Sequence, residues 1–128
     1  MSESSLISVL LLVAAMQVKH FICDGPLQTL AMVKAKGFYG KRLGIVHASI
    51  HGVGTALCLA LFGAPLLVIG QLVELDTLVH YHVDYAKERL VRENGWGTND
   101  GYFWWALTAD QALHHMTYLL LAWLVFKL

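Results

Sequence analysis

The chain has 128 residues, 57% hydrophobic and 14% charged, against roughly 45–50% and 25% in an ordinary soluble protein. That length holds one domain, residues 1–128, and so few charges leave too little polar surface to cover a soluble globule. Nine Lys plus Arg balance nine Asp plus Glu, which excludes nucleic acid as the main partner because neutralising phosphates needs a basic excess.

A single integral-membrane domain follows, and its elements can be read in order. Ser4 to Val18 carry no charge, and Leu6 to about Cys23 reads as a retained first membrane helix, since a signal peptide would begin with basic residues. Asp24-Gly25-Pro26 ends it. Leu27 to Lys36 reads as a short amphipathic segment, and Gly37 to Gly40 as a turn. Leu43 to Val73 holds no Lys, Arg, Asp or Glu, which is too long for one span, and Gly63-Ala64-Pro65 divides it. The second helix is then about Arg42 to Phe62. The third, about Pro65 to Glu93, would reach roughly 43 Å at 1.5 Å per residue and project from the bilayer. Gly95 to Gly101 is a polar loop. Tyr102 to Lys127 is the fourth helix, with Trp104 and Trp105 near one end and Trp123 near the other as an aromatic belt would place them. The expected fold is all-α, a four-helix transmembrane bundle with a short amphipathic segment between helices 1 and 2. Lys34, Lys36, Lys41, Arg42, Lys87, Arg89 and Arg92 share one side, with Lys127 opposite, so the positive-inside asymmetry predicts a multi-pass inner-membrane protein with its termini outside the cytoplasm.

Four pairs carry the chemistry: His20 and Asp24, His47 and His51, His80 and Asp84, Asp110 and His114. Each pair is spaced four apart, so its side chains share a helical face, and Asp76 extends the His80 stripe. With seven His and nine Asp plus Glu in the chain, chance gives about two such pairs. Six occur once Asp76–His80 and Asp84–Glu88 are counted. All four named pairs fall in the cytoplasmic half of the expected bundle, where unpaired ionisable groups are costly and mark function.

Imidazole and carboxylate together suit zinc, iron or manganese, so one or two divalent ions are expected. His20, His47, His51, His80 and His114 would be the main ligands, with Asp24, Asp84 and Asp110 sharing ligation, orienting the rings or acting as base. A single such pair is more often a structural polar contact; the four together favour a metal site. His82 and His115 point off the stripes. Gln28, Gln71 and Gln111 could support the ligands or glue helices together. The basic cluster Lys34, Lys36, Lys41 and Arg42 could hold anionic lipid. Cys23 and Cys58 can build no disulfide framework, and no nucleophile motif is visible.

The pattern resembles an uncharacterised family of small bacterial and phage membrane proteins, domain of unknown function 3307. The resemblance rests on VKHFICDGPLQ (His20, Asp24, Leu27, Gln28), Lys34, VHASIH (His47, His51), HYHVDYAK (His80, Asp84, Lys87) and ADQALHH (Asp110, Gln111, His114). It implies the fold and the residue set but no reaction. From the residues, the leading function is a membrane metal-binding protein, in its fuller form a metal-dependent hydrolase on a membrane-borne substrate. The alternatives are a non-catalytic accessory subunit of a larger membrane complex and a haem or metal-ion carrier.

Overall fold

The computed structural model describes residues 2–127. Among them are five helices: α1 (Glu3–Asp24), α2 (Leu30–Lys36), α3 (Arg42–Leu61), α4 (Leu66–Asn94) and α5 (Gly101–Val125). The Ser2 side chain caps α1 by accepting from the Ser5 amide, and Thr29 caps α2 by accepting from the Met32 amide, which satisfies amides that have no intrahelical partner. Three interhelix turns contain a glycine in the left-handed region, the first being Gly40 (φ 76°) between α2 and α3. Gly63 (φ 72°) closes the α3–α4 hairpin. Gly95 (φ 64°) ends α4, where the Trp96 amide reaches back to the Val91 carbonyl, a bond that stops a helix cleanly.

α3 lies centrally, packed on α1, α2 and α4; α5 bridges α4 and α1, and α2 lies across α3 and α4. The interior is divided along its length. At one end Leu12, Met16, Leu59, Leu72, Leu121 and Ala122 form an apolar core. At the other the same inward stripes turn polar: Lys19 and His20 on α1, His47, His51 and Thr55 on α3, Asp76, His80 and Asp84 on α4, Asp110 and His114 on α5. The four long helices alternate in direction, so a stripe running from apolar to polar on α1 and α4 must run from polar to apolar on α3 and α5. That alternation brings all the polar segments to one depth.

The expected four-helix transmembrane bundle requires correction. The chain between α1 and α3 forms a helix of its own, α2, and among the described residues only α1 and α3 are long and apolar enough to cross a membrane. α4 fails because Glu74, Asp76, His80, Asp84 and a run of charges after them interrupt its apolar residues, and α5 because Asp110, Gln111, His114 and His115 sit at its middle. The inward polar groups thus lower the hydropathy of the helices that carry them.

Candidate metal centre

Eleven apolar and twelve polar or charged side chains are buried among the described residues, and the twelve include His20, His47, His51, His80, His114, Asp84 and Asp110. Buried polar groups on this scale persist only when they satisfy one another or a bound ion.

Ligand atoms converge in two groups. Asp24, His47, His51 and His80 form one; His80, Asp84 and His114 form the other, with His80 common to both. In the first group Asp24 Oδ1 lies 2.9 Å from His51 Nε2 and 3.1 Å from His47 Nε2, and the Nε2 atoms of His47 and His80 are 3.3 Å apart. In the second, Asp84 Oδ2 lies 3.2 Å from His80 Nε2 and Asp84 Oδ1 lies 3.2 Å from His114 Nε2. Four donors held at about 2.0–2.1 Å around one zinc ion lie about 3.3 Å from one another in a tetrahedron. The observed separations approach that edge length, so the buried cluster is able to coordinate a metal ion. Nδ1 of His47 and of His80 has no partner among the described residues, so the polar chemistry of both rings is concentrated on Nε2.

The imidazoles are packed on each other. The rings of His51 and His80 stack at 3.6 Å and those of His80 and His114 at 4.0 Å.

His20 and Asp110 stand beside the two groups. His20 Nδ1 is 2.7 Å from the Tyr118 hydroxyl and its Nε2 is 2.8 Å from Gln111 Oε1 and 3.1 Å from Asp24 Oδ2. Both ring nitrogens are therefore engaged, and the ring orients Asp24. Asp110 accepts from the Gln111 amide at 3.1 Å and lies 3.4 Å from His114 Nε2. His82 is exposed and meets the Tyr39 hydroxyl at 3.0 Å; His115 sits at the rim, its ring against that of His20.

Asp24 is the most exposed acid of the cluster, at 18% of its side chain. It opens into a cavity of about 360 Å³ between α1 and α5, lined by Gln17, His20, Phe21, Asp24, Gln111 and His115. A larger groove of about 740 Å³ between α1 and α3 is lined mainly by apolar side chains, with Cys23 and Cys58 among them.

Two features of the site escaped the sequence. The first is a polar layer one turn deeper: Lys19 Nζ lies 3.2 Å from Asp76 Oδ2 and 3.3 Å from the Tyr118 hydroxyl, and Thr55 donates to Asp76. Its signal was the same spacing continued, His51 to Thr55 and His114 to Tyr118. The second is Lys36. Instead of joining Lys34, Lys41 and Arg42 on the surface, it turns inward from α2, is buried, and pairs with Asp84 Oδ2 at 2.8 Å. No spacing rule links these two residues, so that lysine is removed from the expected lipid-facing cluster.

Residues 8–128 match the family described as Protein of unknown function (DUF3307), and the chain belongs to that family. No curated protein and no solved structure matches it.

Proposed function

We propose that this protein is a membrane-located metalloprotein whose divalent-ion centre, zinc, iron or manganese, serves metal-dependent hydrolysis of a membrane-borne substrate. One observation carries the reading: Nε2 atoms from α3, α4 and α5 meet the Asp24 and Asp84 carboxylates at separations suited to ligation. A divalent ion bound there supplies Lewis acidity. The chain's own residues do the rest. Asp24 faces the cavity and is held by His20, His47 and His51. The Tyr118 hydroxyl and the Gln111 amide fix the His20 ring, and the Gln111 amide leaves the cavity floor polar.

Membrane location is favoured by an outer surface inverted relative to a soluble protein. Leu10, Phe21, Leu57, Leu61, Leu119 and Trp123 are exposed, while Lys19, Lys36, Asp76, Asp84 and Asp110 are buried. Apolar surface of that extent calls for a partner, and a bilayer around α1 and α3 provides it. Exposed Lys34, Lys41 and Arg42 between those helices favour a cytoplasmic side for that connection and the opposite side for both termini, with anionic headgroups as the natural partner of the three charges.

The test is elemental analysis of protein purified in detergent without an affinity-tag metal. Bound metal is expected, lost in His51→Ala and His80→Ala and kept in His82→Ala; metal that survives both of the first two substitutions sinks the site. Hydrolysis is tested with fluorogenic carboxyl-ester and phosphodiester amphiphiles in mixed micelles. Turnover should disappear on chelation and return with zinc or manganese. Bound metal with no such turnover on either probe overturns the hydrolase and leaves a metal-binding protein.

A further inference from the structure

The two ligand groups differ in what already balances their carboxylates. Asp24 meets only the imidazoles of His20, His47 and His51 among its ion-pair partners in the described residues. Asp84 also meets an ammonium, Lys36 Nζ, at 2.8 Å, with both side chains no more than 7% exposed. The ammonium is fixed from behind by the Gln28 side-chain carbonyl, to which it donates. Lys36 is the last residue of α2, a helix of seven residues followed by a tight turn ending at Gly40. A fixed positive charge at this distance from one ligand oxygen repels a divalent ion there at an energy that grows as the dielectric falls. His80 decides the rest of the arithmetic: its Nε2 can ligate one ion only, so it completes either the Asp24 group or the Asp84 group.

We infer that Lys36 is a built-in cation at Asp84, so that the site holds one exogenous divalent ion, on Asp24, His47, His51 and His80, and accepts a second only when Lys36 is withdrawn. On withdrawal, His80 passes to the second group. Asp24, His47 and His51 then hold one ion and His80, Asp84 and His114 the other, three protein ligands each, which leaves positions open on both as a catalytic site requires. α2 thereby sets the ion count, and through it whether the centre works with one metal or two. The inference rests on the metal reading proposed above.

Stoichiometry tests it without any activity. Detergent-purified protein is stripped with chelator, loaded with excess zinc, desalted and assayed for zinc per chain. Wild type is expected to hold one ion, Lys36→Arg one, and Lys36→Met two. The double variant Lys36→Met/Asp84→Asn, which leaves neither charge unpaired in the interior, returns to one, and guards against a Lys36→Met chain that fails to fold. One ion in folded Lys36→Met, two in wild type, or none in the double variant overturns the inference while leaving the metal site standing. No zinc in wild type overturns the metal reading and the inference together.

Discussion

Asp24 and Asp84 are both carboxylates among imidazoles, yet their neighbours give them different roles. Asp24 closes the α1 side of the cluster and reaches the cavity, whereas Asp84 is locked between His80, His114 and Lys36. Truncating Asp24 should therefore be felt by every ring that points at it. Asp24→Ala is expected to abolish metal binding while Asp110→Ala, beside the groups, lowers affinity by about 10–100-fold as loss of an orienting partner does; isothermal titration with zinc distinguishes them. Acid should strip the site in a definite direction. Imidazole ligates only when unprotonated, so protons compete with the ion for every ring of the site. Zinc per chain after dialysis is expected to be highest near about pH 7.5 and to fall as the pH is lowered. Zinc per chain that is independent of pH down to acid unfolding would show that the histidines are not the ligands.

At the scale of elements, the site depends on how closely α3 and α4 approach. Gly52 directly follows His51, and a Cβ placed there would run into the Thr77 hydroxyl and lie 3.5 Å from Val73 Cγ1 on α4. Gly54 stands likewise against the buried Lys19 stem, with a Cβ 2.6 Å from its Cγ. Gly52→Val is expected to push α3 off α4, part the His51 and His80 rings and remove metal, while helix content by circular dichroism is kept; metal bound at wild-type affinity would contradict the packing. Gly95 works differently, since nothing lies near it and only its positive φ resists a side chain. Gly95→Ala should cost about 1–2 kcal/mol, seen as a lowered Tm in detergent with metal stoichiometry unchanged.

Among the described residues, the buried side chains are about half polar, and many large apolar side chains are exposed. An exterior of this kind tolerates no charge where lipid covers it. Leu57, 62% exposed on α3, tests this: Leu57→Arg should cost about 2.5–3.5 kcal/mol of insertion if it sits near the bilayer centre, moving the protein from the carbonate-resistant membrane fraction to the soluble or aggregated one. Full retention in the membrane would show that this face meets protein or water instead. The same inversion explains why hydropathy singles out α1 and α3 alone. α4 and α5 donate half of the buried polar residues, the three buried aspartates among them, and those residues count against them in any average along the chain.

The sequence by itself determined what is local. Helix limits follow from Gly, Pro and capping residues, and faces follow from residues four apart, so His47–His51, His80–Asp84 and Asp110–His114 could be read as shared stripes without coordinates. It also marked a metal-capable set, because His and Asp at that spacing on apolar helices need partners. Tertiary structure decided everything that depends on distance across helices. Which stripe atoms meet, with His80 common to two groups while His20 and Asp110 stand aside, is set by helix packing and ring orientation. Which basic residue turns inward was equally hidden: Lys34, Lys36, Lys41 and Arg42 are alike in a string of letters, and only the lie of α2 across α3 and α4 puts the Lys36 ammonium on Asp84. A spacing of four residues fixes a direction along one helix, whereas a charge pair between two helices is fixed by how they pack, which no local periodicity encodes.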